Sequence, residues 1–192
     1  MLTADEIVEG YNRAYPDRPP LVHSHGWIYG VWMVGNDYRN KSSLYGAYPR
    51  SLLERYEACF GWPEKVLHIF SGSLPADPRY TRIDIEREAD IQGDVQQLSE
   101  LVEAGWDLIY ADPPYTPQDA EVYGTPMPKK FSVVKECAKV LKPGGLLVWL
   151  DTQWPMFRKK ELTLIGTIGL IRSTNHRVRG VFIFRRNEEE RG

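Results

Sequence analysis

Three consecutive segments of the sequence decide the fold: DLIYAD (107–112), FSVVKECAKVLKPGG (131–145) and GLLVWLD (145–151). The first and the last are short apolar runs that end in a polar residue, a pattern typical of buried strands. The middle segment has apolar residues at helical spacing and ends in a Pro-Gly-Gly stop. A helix between two strands gives a crossover long enough for parallel pairing, so the sequence predicts an α/β fold.

Other segments extend this pattern along the chain. Further buried strands are predicted at KVLHIFSG (65–72) and YTRIDI (80–85), amphipathic helices at residues 1–15 and 49–61, and a terminal hairpin at residues 162–173 and 177–186. The two hairpin runs are rich in β-branched and aromatic residues, which indicates antiparallel strands that end the sheet. The expected architecture is a mostly parallel sheet with a terminal antiparallel hairpin.

The chain is predicted to form a single domain over residues 1–192, with a core at residues 49–186. Residues 1–48 would be an N-terminal extension that contacts the substrate or covers the site. Within it, WIYGVWMVGNDYRN (27–40) is interpreted as a strand or hairpin. Trp27, Tyr29 and Trp32 alternate as the face of a strand would, and we expect them to pack in the core rather than to form a base-stacking platform.

Composition favours a globular protein, because 42% of the 192 residues are hydrophobic and 26% are charged. The acidic, amphipathic start predicts neither a signal peptide nor a membrane span, and a cytoplasmic location is expected. Cys59 and Cys137 are interpreted as reduced core thiols, and His23 and His25 as turn or surface residues, so no metal site is predicted. The net charge of −2 shows no overall basic excess, although the segment from Asp151 onward contains nine basic and five acidic residues.

Candidate functional residues stand where the predicted parallel strands end, because ligands of open α/β sheets bind at that edge. Gly72 follows the first strand and would let a ligand approach the backbone. Asp84 closes the second strand and is suited to accept hydrogen bonds from two ribose hydroxyls. Asp94 could accept a hydrogen bond from an adenine amino group. The strand at residues 107–112 leads into Asp112-Pro113-Pro114-Tyr115, a rigid exit because proline restricts its own backbone and that of the residue before it.

These motifs resemble those of class I S-adenosylmethionine-dependent methyltransferases that modify amino groups, most like DNA adenine-N6 or cytosine-N4 methyltransferases. The catalytic motif (D/N/S)PP(Y/F) of the family is matched at residues 112–115, and its glycine motif is matched in part at residues 68–73. The resemblance covers about residues 49–186 and implies a Rossmann-like methyltransferase fold with S-adenosylmethionine as cofactor. The implied cofactor-binding residues are His68, Phe70, Ser71, Gly72, Asp84, Ile85, Asp94 and Tyr45.

The same resemblance implies a catalytic role for each residue of the DPPY motif. The Asp112 carboxylate and the Pro113 carbonyl would accept hydrogen bonds from an exocyclic amine, which aims its lone pair at the methyl group. Pro113 and Pro114 would supply rigidity, and Tyr115 a ring on which a flipped base stacks. Tyr48 and Tyr123 are the candidate substrate-binding residues. The expected activity is methylation of a nucleobase, with adenine N6 in DNA favoured.

Departures from the family pattern keep other functions open. His68 stands where the family usually has an acid, and Asp84 follows Gly72 by only twelve positions, against about twenty in the dinucleotide-binding version of the fold. The first crossover must therefore be abbreviated. We expect no separate target-recognition domain within residues 1–192, so a protein partner or a homodimer could supply specificity. The alternatives are an RNA base amino-methyltransferase, on guanine N2 or adenine N6, and a catalytically lapsed module that binds nucleic acid or protein.

Overall fold

The computed structural model of this chain describes residues 1–34, 48, 50–172 and 178–188. Its helices are α1 Ala4–Ala14, α2 Arg50–Phe60, α3 Leu98–Leu101, α4 Pro117–Tyr123 and α5 Lys130–Val140, with a 3-10 turn at Val95–Gln97. Its strands are β1 Val22–Ser24, β2 Trp27–Val34, β3 Val66–Ile69, β4 Thr81–Asp84, β5 Ile91–Gln92, β6 Trp106–Ala111, β7 Leu141–Asp151, β8 Leu162–Arg172 and β9 Val178–Arg186.

The strands form one sheet in the order β1-β2-β8-β9-β7-β6-β3-β4-β5. Pairing is parallel throughout β7-β6-β3-β4-β5 and between β2 and β8, and it is antiparallel where β9 pairs with β7 and β8. The predicted α/β fold with a mostly parallel sheet and a terminal antiparallel hairpin is confirmed. Because β3, β4 and β6 run in the same direction, their carboxyl ends meet at one edge.

Two hydrophobic cores cover the two faces of the sheet. On one face α1 and α2 pack on each other and on residues such as Trp32 and Leu170. On the other face α5 covers residues that include Leu147 and Phe184. Helix α1 begins with a capping box, in which the Thr3 hydroxyl accepts from the Glu6 backbone N–H and the Glu6 carboxylate accepts from the Thr3 backbone N–H.

The crossover from β3 to β4 is abbreviated, as the sequence predicts. The eleven residues between Ile69 and Thr81 contain no helix, and the chain turns back at once. The Ser71 backbone N–H donates to the Ile83 carbonyl at 3.1 Å, and the Leu74 N–H donates to the Ser71 carbonyl at 3.0 Å. These bonds tie the turn after β3 directly to β4.

In the N-terminal segment the structure differs from two expectations. The terminal hairpin does not end the sheet, because β2 pairs in parallel with β8 and β1 lies outside β2. Trp32 is buried as expected, but Trp27 is 37% exposed and Tyr29 is 46% exposed. They belong to the face of β2 opposite to the α1 and α2 core, so strand alternation places them away from Trp32. The Gly35-Asn36-Asp37 turn signal lies outside the described residues.

No helix within the described ranges is both long and apolar enough to cross a membrane.

Candidate functional site

A cleft opens at the edge where β3, β4 and β6 end. It brings together residues that are far apart in the sequence but follow these three strands. The lining residues are Phe70, Gly72, Asp84, Ile85, Glu86, Arg87, Asp112, Pro113, Pro114, Tyr115, Tyr123 and Thr125. One cavity is therefore shared by Gly72 in the turn after β3 (the glycine turn), by Asp84 at the end of β4 and by the complete DPPY segment. This is expected, because ligands of α/β sheets bind where the parallel strands end.

The turn after β3 has an unusual backbone. Phe70 has φ of +57° and Gly72 has φ of +56°, and only glycine adopts this region without strain. The Ser71 side chain between them is fully buried, and its hydroxyl has no hydrogen-bond partner. The turn thus presents the Phe70 ring and the bare backbone of Gly72 to the cleft, a shape that lets a flat or extended ligand approach the main chain.

The Asp84 carboxylate anchors the floor of the cleft. One oxygen accepts the Gly72 N–H at 2.8 Å, and the other accepts the N–H groups of Glu86 and Arg87 at 2.9 and 2.8 Å. These bonds hold the turn after β3 and the loop after β4 together. Because an ionised carboxylate has about four acceptor positions, Asp84 keeps limited capacity for a ligand hydroxyl.

A smaller pocket continues the cleft beyond Asp84 and shares Phe70, Asp84, Ile85 and Thr125 with it. Asp94 lines this pocket. Its carboxylate accepts from the Gln96 backbone N–H at 2.9 Å and from the Gln96 side-chain amide at 3.0 Å. Asp94 is therefore an N-cap as well as a pocket residue, and Gln96 is a polar neighbour that sequence reasoning did not select.

In the DPPY segment, Pro113 and Pro114 are buried, while Asp112 and Tyr115 are partly exposed. The Tyr115 hydroxyl donates to Asp112 Oδ1 at 2.7 Å. Burial, followed by the negative charge of Asp112, raises the pKa of Tyr115 well above its usual value. The phenol therefore stays protonated and donates to the carboxylate, so that Asp112 and Tyr115 hold each other in place.

A buried ion pair supports the segment from behind. Lys130 Nζ lies 2.6 Å from Asp151 Oδ2 and 3.3 Å from the Tyr115 carbonyl oxygen. Asp151 is fully buried and also accepts from Trp149 Nε1 at 3.2 Å and from the Thr152 N–H at 2.7 Å. The end of β7 is thereby connected to the DPPY segment through the first residue of α5.

Arg179 of β9 reaches the other side of the same segment. Its guanidinium carbon lies 4.9 Å from the centre of the Tyr115 ring, within the range of a cation–π contact. One face of this ring is therefore occupied by a cation, and a planar group could stack only on the face that remains.

His68 and Tyr48 lie beneath the cleft and do not line it. His68 is 1% exposed, and its ring lies 4.7 Å from the Tyr110 ring and 5.6 Å from that of Tyr48. Burial lowers the pKa of His68 to about 3, so the imidazole is neutral. Burial and then the charge of Asp112 raise the pKa of Tyr48. His68 therefore carries no charge in the position where the family usually has an acid.

The structure thus gathers most of the candidate residues that the sequence selects. Phe70, Gly72, Asp84, Ile85 and Tyr123 join the DPPY segment in the cleft, and Asp94 lines the adjoining pocket. Ser71, His68 and Tyr48 are buried behind the cleft. Tyr45 lies outside the described residues. No cluster of three or more potential metal ligands occurs in the part of the chain that the structure describes.

Lys130, Asp151 and Arg179 are site residues that sequence reasoning missed. Asp151 ends an apolar strand just as Asp112 does, so this signal was present in the sequence. Lys130 and Arg179 carry no comparable signal, because their proximity to Tyr115 depends on how α5 and β9 pack beside β6 and β7.

Solved structures that resemble this chain include methyltransferases. YhhF from Escherichia coli, itself a methyltransferase by inference, is 14% identical with a TM-score of 0.51, over 76% of this chain and 91% of that one. TrmN from Thermus thermophilus is 14% identical with a TM-score of 0.46, over 64% of this chain and 44% of that one. The N-methyltransferase NodS from Bradyrhizobium japonicum WM9, in complex with S-adenosyl-L-homocysteine, is 17% identical with a TM-score of 0.48, over 96% of this chain and 100% of that one.

At these identities the comparison with YhhF establishes the Rossmann-like methyltransferase fold and nothing finer. No protein-family model matches the sequence, and no curated protein is similar to it.

Proposed function

We propose that this protein transfers the methyl group of S-adenosylmethionine to an exocyclic amino group of a nucleobase, with adenine N6 in DNA as the favoured target. One observation carries the proposal: the complete DPPY segment lines the same cleft as Gly72 and Asp84. A carboxylate that could accept from an amine and a glycine turn that a nucleoside cofactor could approach would then act in one cavity.

The cofactor-side residues fit a nucleoside with a short polar chain. Gly72 leaves the main chain open, Asp84 lies at the junction of the two pockets, and Asp94 with Gln96 forms a polar end to the smaller pocket. When bound, S-adenosylmethionine supplies an electrophilic methyl group on a sulfonium. Asp84 would contact the ribose, and the smaller pocket would hold the adenine.

The target-side residues would orient the amine. An exocyclic amino nitrogen is a poor nucleophile because its lone pair is delocalised into the ring. Hydrogen bonds from its two N–H groups to the Asp112 carboxylate and the Pro113 carbonyl would draw the nitrogen toward tetrahedral geometry. The Tyr115 hydroxyl, at 2.7 Å from Asp112 Oδ1, fixes the carboxylate, and the face of the Tyr115 ring away from Arg179 would hold the base.

Labelled methyl transfer to DNA, RNA and free nucleosides tests the proposal and separates DNA from RNA as substrate. We expect Asp112→Asn to lower kcat at least 100-fold and to leave the dissociation constant of S-adenosylmethionine within a few-fold, because Asp112 orients the amine and not the cofactor. Glu64→Gln makes the same carboxylate-to-amide change before β3, at the opposite edge of the sheet, and serves as the control. Turnover retained in Asp112→Asn would remove the basis of the assignment.

One observation favours a second candidate, a catalytically lapsed relative that still binds nucleic acid or protein. The Asp84 carboxylate already accepts three backbone N–H groups, which reduces what it can offer to a ribose. Titration calorimetry separates the two candidates. No heat of binding at millimolar S-adenosylmethionine would reject methyl transfer and leave the binding role.

A further inference from the structure

Arg179 is a cation for which the described residues provide no anionic partner. Its guanidinium contacts the Tyr115 ring at 4.9 Å, and its Nε is buried without a hydrogen-bond partner. Arg82 is paired with Asp90 at 2.9 Å, and Arg158 with Glu161 at 3.1 Å. Arg55 and Arg186 also have a buried Nε without a partner, but their terminal nitrogens donate to the main-chain carbonyls of Ser51 and Glu161. Arg179 makes no such bond to a described residue, so its guanidinium keeps its donors for a ligand.

The sheet order assigns Arg179 to the substrate side of the site. Gly72 and Asp84 follow β3 and β4, which lie on one side of β6. Arg179 belongs to β9, which lies on the other side of β6 beyond β7. The Asp112–Tyr115 pair at the end of β6 thus stands between the proposed cofactor pocket and Arg179.

The chemistry of the arginine side chain limits the ligand further. A guanidinium offers five N–H donors in a planar fork that matches the oxygens of a phosphate or a carboxylate. Contact with the Tyr115 ring engages the charge but none of these donors. An anion bound here would lie next to the group stacked on that ring, which is the position of a phosphate that flanks an extruded nucleotide.

We propose that Arg179 binds a backbone phosphate beside the target base, so that the substrate of this site is a phosphodiester-linked nucleotide and not a free nucleoside. This inference rests on the proposed function for the identity of the base, but its test measures binding and needs no turnover. The competing source of the anion is the carboxylate of the cofactor.

The experiment compares Arg179→Gln, Arg179→Lys and Arg186→Gln with the wild type. Arg186 lies at the opposite end of β9 and donates to the Glu161 carbonyl, so Arg186→Gln makes the same charge change away from the cleft. Binding of a fluorescein-labelled 12-nucleotide single-stranded DNA is measured by anisotropy from 50 to 300 mM salt. Binding of S-adenosylmethionine is measured by calorimetry, and thermal melts verify that each variant is folded.

We expect Arg179→Gln to weaken oligonucleotide binding about 10-fold and to reduce the slope of log Kd against log salt by about 0.7, the value for one phosphate contact to a single strand. Arg179→Lys should keep the slope, because it keeps the charge, and lose part of the affinity. The Kd for S-adenosylmethionine should stay unchanged in both variants.

Three results would overturn the proposal. They are the absence of oligonucleotide binding by the wild type, equal effects of Arg179→Gln and Arg186→Gln, and a selective loss of S-adenosylmethionine affinity in Arg179→Gln. The last result would assign Arg179 to the cofactor carboxylate. If Arg179→Gln still methylates DNA and its slope of log Kd against log salt equals that of the wild type, this inference alone is rejected. If the slope is reduced in Arg179→Gln but the wild type transfers no methyl group, only the proposed function is rejected.

Discussion

His68 should make the stability of the fold depend on pH. Its ring is 1% exposed among the rings of Tyr48, Tyr80 and Tyr110, and neither ring nitrogen has a hydrogen-bond partner. Burial lowers the pKa of His68 from 6.5 to about 3. Between these two values the unfolded chain binds a proton at this residue that the folded protein does not bind. The contribution of His68 to stability is therefore fully present above about pH 6.5 and is lost as the pH falls towards 3.

The size of this effect follows from the two pKa values. At full slope the free energy of unfolding falls by about 1.4 kcal/mol per pH unit, and integration from pH 7 to pH 5 gives a loss of about 2 kcal/mol. His68→Phe keeps an aromatic ring but cannot titrate. We therefore expect its free energy of unfolding not to show this decrease between pH 7 and pH 5. Urea denaturation of both proteins at pH 7 and pH 5 measures the difference, because the carboxylates that titrate elsewhere contribute equally to both.

Tyr80→Phe is the matched control for this measurement. It removes the hydroxyl that donates to the Pro75 carbonyl but leaves His68 in place, so it should keep the pH dependence of the wild type. The reasoning would be refuted if His68→Phe lost as much stability between pH 7 and pH 5 as the wild type, within about 0.5 kcal/mol.

Two further substitutions test the supports of the site. Lys130→Met leaves the fully buried Asp151 carboxylate without its cation, and we expect a loss of about 3–5 kcal/mol in the free energy of unfolding by urea denaturation; the double variant Lys130→Met/Asp151→Asn should recover part of it. Asp84→Ala removes the acceptor of three backbone N–H groups and the proposed ribose contact. It should raise the Kd for S-adenosylmethionine in calorimetry and cost about 1–3 kcal/mol of stability; a Kd within two-fold of the wild type would contradict the ribose role.

The sequence predicted those parts of the fold whose signal is local. Residues 107–112 and 145–151 are apolar enough to be buried on both faces, and residues 131–145 have helical periodicity with a glycine stop, so strand, helix and strand were predicted in the observed order. The boundary was not, because α5 ends at Val140 and β7 already begins at Leu141. Because the carboxyl ends of parallel strands meet, the grouping of Gly72, Asp84 and Asp112 in one cleft followed as well.

The remaining features depend on the order of strands that are far apart in the sequence. Nothing in residues 27–34 indicates that β2 pairs with β8, and without that pairing the exposed positions of Trp27 and Tyr29 could not be assigned. Arg179 likewise looks like any arginine of a solvated hairpin until β9 is placed beside β7. Short-range patterns specify elements, whereas register and neighbours come from packing across the whole sheet.

The abbreviated crossover, the largest departure from the family pattern, is compatible with the proposed cofactor. In dinucleotide-binding versions of this fold, the glycine turn leads into a helix whose N-terminus binds a pyrophosphate. S-adenosylmethionine has no phosphate, so a site for it has no need of that helix N-terminus. Such a helix would also hold the glycine turn in position. Here the Asp84 carboxylate does this by accepting the Gly72 N–H at 2.8 Å, together with the bond from the Ser71 N–H to the Ile83 carbonyl. The same carboxylate that would contact the ribose therefore also stabilises the turn, which explains why one substitution at Asp84 should affect both affinity and stability.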